Sequence, residues 1–471
     1  MSYKGDVISD INDFLRNRYD MGLIQKYRMY RNPVLERVRK VSDKESMFAF
    51  ATGKGHTLTM QTGAPMNAGG RAETGDFPYP GKTTFKQLTV KEIQYAASAG
   101  ITKEEQEEAR ASEAAVANLI DIKLSDLRND IKYRLHAGVR GDGTGRLARV
   151  ASYSTVSGKV VTVDNTAQDF GWAGTEMILV GMPIDILSPG DTTTKWQVRV
   201  RNAIVTALTA TTITIDTAGP NSSDVDSAHI ADGDMVFLAG STNVADDTAI
   251  DWNTGFQEVR GLFGLVDDGT SSFTTLAAGT KTGSGLGANY FGVTRTSYPS
   301  LVSSVTSFWD GTAPGSWDLE DLLKPIRDID NGFADGKVTA LYCSPDMSAA
   351  IARKAALANN ETHLNTNGKV TGGYYTRELN VEGRMVPIIP MAQGWPKHTI
   401  IGVDEEQLVF YIPQDINFIN PYSGKTGKGE VFFMAPGKRN LTFEAWMRFV
   451  GQLFMRRCDT SFRLEGLRVD E

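Results

Sequence analysis

Between Ala49 and Ser98 the chain carries two alternating runs around a tip that cannot build a core. The outgoing run, His56-Thr-Leu-Thr-Met-Gln61, and the return run, Thr84-Phe-Lys-Gln-Leu-Thr-Val-Lys-Glu-Ile-Gln-Tyr95, both have period two. That period marks half-buried strands, so the pair reads as a hairpin. The tip, Gly63 to Gly81, is full of turn formers and poor in core formers. A lone hairpin is at best marginal in water, and the flanking sequence offers little to cover its apolar face. A second copy of the same chain is the simplest cover, which points to an assembly subunit rather than an enzyme. Leu58, Met60, Phe77, Tyr79, Phe85, Leu88 and Val90 are the residues expected to meet that neighbour.

With 471 residues the chain has room for several domains and a large core. Its 47 glycines favour turns and short strands. No apolar run approaches the ~20 residues of a membrane helix. The start, Met1-Ser-Tyr-Lys-Gly-Asp6, has no signal-peptide apolar segment, so a cytosol-like compartment is expected. Cys343 and Cys458, the two cysteines, do not support a disulfide scaffold or a Cys-rich zinc site. A net charge of −7 argues against condensing nucleic acid by bulk charge. The charge is uneven, however. Arg16, Arg18, Lys26, Arg28, Arg31, Arg37, Arg39 and Lys40 are opposed only by Asp20 and Glu36. A basic arm on an acidic body suits nucleic acid or an acidic surface of a neighbour; a solvated helical face is the plainer alternative.

Helical spacing of Ile8, Ile11, Leu15 and Tyr19 predicts a helix within residues 7–30, and Pro33 suits the first turn of a short one carrying Val34, Leu35, Val38 and Val41. Thr102-Lys-Glu-Glu105 reads as a capping box opening a long helix. Val116, Ile120, Leu124, Leu127, Ile131 and Leu135 line one side, and Gly138 and Gly141 are the expected stop. Such a helix would be about 50 Å long, a structural spine. From Leu147 to Val259 short Thr- and Val-rich runs read as an all-β barrel or sandwich: Lys159–Val163, Met177–Val180, Trp196–Val200, Thr212–Ile215 and Met235–Leu238. Beyond Gly261-Leu-Phe-Gly-Leu265 the pattern is mixed. Asp318 caps a helix, Val338–Cys343 is a buried strand, and Ser344-Pro345 starts another helix. Residues 359–373 read as a loop, and Val386–Pro390 and Thr399–Val403 as strands. From Leu441 to Val469 the chain alternates, with Phe443, Met447, Phe449 and Leu453 on one face and Glu444, Arg448, Gln452 and Arg456 on the other.

No catalytic constellation survives inspection. Gly75 to Thr83 resembles a phosphate loop but has five residues between its glycines and leads into a strand. Gly283-Ser-Gly-Leu-Gly287 misses the dinucleotide fingerprint. His56, His136, His229, His363 and His398 are scattered, with no zinc-like spacing, and His136 suits a helix C-terminus. Cys343 reads as a packing residue; Arg456-Arg457 can lower the pKa of Cys458, although an ordinary strand thiol is the plainer reading. Asp232-Gly-Asp234 and Asp267-Asp268-Gly269 read as turns rather than calcium loops. No cofactor or metal is expected.

The order of elements is more telling than any motif. A basic arm, a two-stranded loop and a spine helix ending in Gly141-Asp-Gly-Thr-Gly145 come first. A Gly-Leu-x-Gly-Leu segment, the Leu341-Tyr-Cys-Ser-Pro-Asp346 strand-to-helix step and a long C-terminal strand follow. This order resembles the major capsid proteins of tailed double-stranded-DNA bacteriophages, the fold named after phage Hong Kong 97, over everything outside the β-rich block. The resemblance implies an α+β capsid fold with an inserted β domain. It implies an N-terminal arm at 1–48, an extended loop at 49–98, a peripheral domain with the spine helix at 99–146 and the insertion at 147–259. An axial domain at 260–427 and C-terminal strands at 428–471, returning to the peripheral domain, complete it.

The implied function is a non-enzymatic coat protein that self-assembles into hexamers and pentamers around packaged double-stranded DNA in a virion assembled in the host cytoplasm. The implied partners are further copies, the DNA, a separate scaffolding protein and a portal, with a decoration protein left open and no membrane. No removed propeptide is expected. Lys54 and Lys82 are candidates for the crosslinking lysine of some relatives, but the surrounding pattern does not match and crosslinking is not expected. Two rivals remain: an encapsulin-type shell, and a β-rich glycan-binding protein or enzyme using Trp172 and Trp196.

Overall fold

The computed structural model describes residues 33–41, 49–50, 56–63, 83–102, 113–154, 160–163, 174–188, 195–216, 230, 232–241, 248–249, 258–269, 289–310, 313–332, 336–359, 378–381, 384–391, 395–419, 433–434 and 442–469. The helix expected within 7–30, Arg16 to Arg31, Lys54, Phe77, Tyr79, Lys82, Trp172, His229, Gly283–Gly287 and His363 lie outside them.

Pro33 opens α1 (Pro33–Arg37), where its fixed φ suits the first turn. Val38 closes it, its N–H bonding Val34 O at 2.9 Å. The chain then extends into β1 (Arg39–Val41), so Val41, expected on the helix, is a buried strand residue. β2 (Ala49–Phe50), β3 (His56–Gly63) and β4 (Thr84–Val90) form a three-stranded antiparallel sheet in which Leu58 faces Leu88 and His56 faces Val90. The expected hairpin is there, but its return leg stops at Val90. Lys91 and Glu92 break it, and β5 (Ile93–Thr102) belongs to a different sheet. Thr102 is therefore the last residue of a strand, and the remainder of its capping box lies outside the described residues. Helix α2 (Glu113–Arg140) has 28 residues, about 42 Å at 1.5 Å per residue. Gly138 sits inside it. The stop is Gly141, whose N–H reaches Ala137 O at 3.2 Å and Gly138 O at 3.1 Å.

The β-rich block holds β6 (Arg146–Ser154), β7 (Val160–Val163), β8 (Pro183–Ser188), β9 (Lys195–Leu208), β10 (Thr212–Asp216), β11 (Met235–Leu238) and β12 (Thr248–Ala249). Their order is β10-β7-β6-β11-β8-β9-β12, and β10 also pairs with β9. Six strands thus close into a ring, which removes free edges, around Val150, Val161, Ile184, Ile186, Val205, Ile213 and Val236. Met177–Val180 is a turn, not the expected strand. Met177 and Ile178 are buried while Val180 is exposed, and its bonds are local: Ile178 N–H to Thr175 O at 2.9 Å and Met182 N–H to Leu179 O at 3.1 Å.

Beyond the block come α3 (Leu262–Leu265), β13 (Asn289–Tyr290), β14 (Val293–Thr294), β15 (Ser304–Ser307), β16 (Trp309–Asp310) and β17 (Ala313–Pro314). Next are α4 (Leu319–Asp330), β18 (Ala340–Cys343), α5 (Pro345–Asn359), β19 (Glu378–Val381) and β20 (Arg384–Pro390). The last elements are β21 (Ile400–Val403), β22 (Leu408–Phe418), β23 (Phe433–Met434), β24 (Thr442–Met455) and β25 (Phe462–Glu465). Helix starts follow their caps. The Asp318 N–H bonds the Asp321 carboxylate at 2.8 Å, and the Ser344 hydroxyl accepts the Met347 N–H at 3.1 Å.

Contacts divide the chain into two compact units. The described residues of one lie within 94–136 and 414–450. Within it β5 and β23 pair with β24, Tyr95 stacks on Phe449 at 6.2 Å, and the Arg134 guanidinium lies 5.5 Å from the Tyr95 ring. Leu127, Ile131, Tyr133, Leu135 and His136 are buried helix residues of this unit. The other comprises 32–93, 137–413 and 451–471. Its six-stranded sheet runs β15-β25-β21-β18-β20-β19, with α4 and α5 packed against it through Leu322, Ile326, Met347 and Ile351. The C-terminal strands therefore do not return to one place, as 428–471 was expected to. β25 inserts between β15 and β21, and all four of its residues are buried. The polar face expected along 441–469 is likewise cut short: Gln452 is buried, and so is every residue from Phe449 to Met455.

Candidate assembly surface and its buried anchor

The base of the hairpin folds onto its own chain. Val90 packs with Val41, Val409, Tyr411 and Phe454, and the Thr89 N–H bonds Phe291 O at 3.3 Å. On β3 the Met60 sulfur lies 3.5 Å from the Ser300 hydroxyl. Leu88 and Val90 are each 1% exposed. Their area is already covered, so these two anchor the hairpin instead of meeting a neighbour; the flanking sequence supplies more cover than its composition suggests. Further out the picture inverts. Thr84 to Gln87 are all exposed, and Phe85 is 63% exposed. Leu58 is paired in the ladder, its side chain outside the described set.

Of the basic arm, Arg37, Arg39 and Lys40 are described. Arg37 grips Glu405 with two bonds, Nε to Oε1 at 2.6 Å and Nη2 to Oε2 at 2.7 Å, and Tyr342 donates to the same carboxylate at 2.7 Å. Arg37 is thus spent on its own chain, its charge further stabilised by Glu405. Arg39 and Lys40 are exposed on β1.

Composition did not reveal the densest chemistry, the junction where Gly141–Arg146 meets Val259–Asp267. Asp142 accepts the Thr144 N–H at 2.8 Å and the Arg146 guanidinium at 3.2 Å, all three nearly sealed from water. A Cβ on Gly264 would lie 2.2 Å from Asp142 O, and one on Gly261 2.3 Å from Gly138 O. Gly143, at φ +96, would bring its Cβ 3.1 Å from the Arg260 Cα. The two glycine segments therefore touch backbone to backbone.

Helix α3 has only four residues: Leu262 O accepts the Val266 N–H at 2.9 Å, and the carbonyls after it need donors from elsewhere. Two fully buried arginines supply donors. Arg295 reaches Gly264 O at 2.9 Å, Leu265 O at 2.9 Å and Asp267 O at 2.6 Å. Arg463, on β25, reaches Phe263 O at 2.7 Å and Val266 O at 2.6 Å, and meets Asp267 at 3.5 Å and Glu465 at 2.5 Å. Cations belong at a helix C-terminus, and the guanidinium fork suits several carbonyls at once. A third cation, Arg260, donates to Asn289 O at 2.8 Å and sits over the rings of Tyr290 and Phe291. Burial, then repulsion from Arg295, lowers its pKa to about 10. Burial also raises Glu465, opposed by Arg463 and reinforced by Asp267.

The isolated chemical candidates become structural. Asp267 accepts the Gly269 N–H at 2.7 Å, a turn, and Gly233 turns at φ +92 between Asp232 and Asp234. His136 is buried in the last turns of α2. Cys343 is sealed in β18, where burial pushes its thiol up to about 12. Cys458 is buried too, and its pKa rises, since burial outweighs the lowering by Arg295 and Arg260. Arg295 and Arg260 are the cations that lower it most. The side chain of Trp196 lies outside the described set. Among the described residues no group of three or more His, Cys, Asp or Glu is placed to hold a metal, and no helix is long and apolar enough to cross a membrane.

No family model matches the chain, and no curated protein matches its sequence. Among solved structures it is similar to the Cyanophage A-1(L) capsid asymmetric unit, with TM-score 0.48 and 11% identity over 95% of this chain and 96% of that one. It is also similar to the capsid of Myoviridae Phage XM1, with TM-score 0.40 and 8% identity over 96% and 98% of the two chains. The holo-SrpI encapsulin complex from Synechococcus elongatus PCC 7942 matches with TM-score 0.40 and 8% identity over 98% and 96%. Phage capsid proteins are among the structural neighbours of this chain along nearly its whole length.

Proposed function

We infer that this chain is a major capsid protein, a structural subunit that builds hexamers and pentamers of an icosahedral shell around phage double-stranded DNA. The observation that carries this reading is the hairpin: fixed at its base by Val90 and bare from Thr84 to Gln87, with Phe85 in water. A scattered apolar residue on a surface is ordinary. One presented on β4, the edge strand of a small sheet with a rigid root, is placed to be covered by another copy. On this reading the fold is of the Hong Kong 97 type and residues 147–259 are an inserted domain. The contact of Gly143 and Gly145 with Arg260 and Glu258 supports the insertion, because the block leaves and re-enters the body at one point. Arg39, Lys40 and the preceding arm would face the genome or a separate scaffolding protein, with Arg37 excepted. Assembly in the host cytoplasm, on a portal, belongs to the same proposal; so does the absence of enzymatic activity.

Negative-stain microscopy and sedimentation of the purified chain test it. Capsomers or closed shells are expected. A monomer at every concentration and ionic strength would overturn it.

A further inference from the structure

The β-rich block touches the six-stranded-sheet body at a second place, far along the chain from its glycine junction. Glu176, in the turn Thr175–Val180, accepts the backbone N–H of Lys397 at 3.0 Å. Its other oxygen lies 4.0 Å from Nε2 of His398. The opposite ring nitrogen, Nδ1, is 2.9 Å from the carbonyl oxygen of Leu467. A carbonyl can only accept, so Nδ1 carries the hydrogen. In the neutral ring the remaining nitrogen, Nε2, then turns a lone pair toward the Glu176 carboxylate. Protonation converts that same contact into a cation facing an anion.

We propose that Glu176 and His398 form a proton-operated latch that holds the β-rich block on the body. The block is tethered covalently at Arg146 and Glu258, and the latch is its second point of attachment. The other groups around the ring leave this reading intact. The Lys397 ammonium lies 3.7 Å from Asp346 on α5. Trp309 on β16 meets the imidazole edge-on at 5.8 Å. Arg468, next to Leu467, bonds Gly315 O through its backbone N–H at 3.0 Å. The Glu176 carboxylate reaches the ring at 4.0 Å. The sign follows. If the docked form binds a proton that the released form binds less tightly, docking is strongest below the pKa of the released imidazole. It weakens as pH rises through that of the docked one. An ordinary imidazole titrates near pH 6.5, so the window lies around neutrality.

Hydrogen exchange of the full-length chain, corrected for the chemical exchange rate, reads the latch directly and does not depend on whether the chain builds shells. Segments 174–182 and 395–400 should be more protected at pH 5.5 than at pH 8 by about threefold, the size a part-exposed ion pair supports. Glu176→Gln keeps an acceptor for the Lys397 N–H and should flatten that dependence. His398→Asn keeps a donor for Leu467 O and should flatten it too. If His398→Asn fails to fold, the imidazole proton resonances of the five histidines give an independent reading: one should shift to lower pKa in Glu176→Gln. Equal protection at both pH values in the unmodified chain, or an unchanged pH dependence in Glu176→Gln, would overturn the latch.

Discussion

At the glycine junction three arginines are sealed from water; on the hairpin a phenylalanine stands in it. The junction spends polar groups to hold the backbone of a four-residue helix and the turn that follows it. Arg295 and Arg463 satisfy five carbonyls of residues 263–267 between them. The hairpin pairs β3 with β4 from His56–Val90 to Gly63–Thr84, with one register shift between Gln61 and Gly63, and its outer stretch lacks cover. One region is finished within a single chain. The other, among the described residues, ladders β4 on one side and leaves Thr84 to Gln87 exposed, which is the state expected of a surface awaiting a partner.

The contrast breaks most severely at Arg463. Replacing it by Met leaves Phe263 O and Val266 O without their donor and Asp267 and Glu465 without their cation. Removing one side of such a buried network costs about 3–5 kcal/mol. Loss of soluble protein, or a large drop in the denaturation midpoint, is expected. Arg463→Lys should recover little of it, because an ammonium lacks the flat fork. The neighbouring Gly264→Ala should cost about 3 kcal/mol, since its Cβ would meet Asp142 O at 2.2 Å and backbone cannot rotate away.

The anchor of the hairpin is next. Val90→Ala removes two methyl groups from the cluster with Val41, Val409, Tyr411 and Phe454, for about 2 kcal/mol. It should also loosen the hairpin, read as faster hydrogen exchange along Thr84–Val90. Unchanged exchange there would mean that the base is not what holds the hairpin.

These regions were not equally legible in the sequence. Period two exposed β3 and β4, and the i, i+4 spacing from Leu127 to Leu135 exposed α2, because both patterns report burial of one face. The same rule misread Met177–Val180: four apolar residues look like a buried strand whether or not a ladder receives them. It misplaced the end of the return leg as well, since Ile93 and Tyr95 keep the alternation while changing sheets. The arginine junction left no periodic trace. Arg260, Arg295 and Arg463 are isolated letters far apart in the chain, and their common target is main-chain oxygen, which composition does not record. Its one legible sign was glycine, at Gly141–Gly145 and Gly261–Gly264, where backbones touch. Of the hairpin contacts, the sequence could name the apolar positions but not divide them. Leu88 and Val90 alternate as Phe85 does not, yet only the tertiary cluster says which are spent.

A smaller effect separates sealed from open chemistry by pH. The Cys343 thiol is held at about 12 against 9.0 for a free one. The unfolded chain therefore loses this proton first, and stability present below pH 9 falls as pH rises toward 12. At pH 10 the share of this one group is about 1 kcal/mol. Cys343→Val, which keeps the packing volume, should remove that share and leave neutral stability within about 1 kcal/mol. Denaturation midpoints at pH 7 and pH 10 check it.

The smallest effect on folding is expected at Phe85, and it bears most on function. The side chain is 63% exposed, so Phe85→Ser should move the unfolding free energy of the isolated chain by less than about 0.5 kcal/mol. Assembly should respond differently, because an aromatic side chain newly buried between copies is worth about 1.5–3 kcal/mol, and every subunit of a shell carries the same change. Raised critical concentration with an unchanged melting curve would place Phe85 in a contact between copies. An unchanged critical concentration would mean that the bare stretch of β4 stays in water in the assembly. The hairpin would then be held by its tip or its outgoing strand, and Met60 and Leu58 would be the next residues to replace.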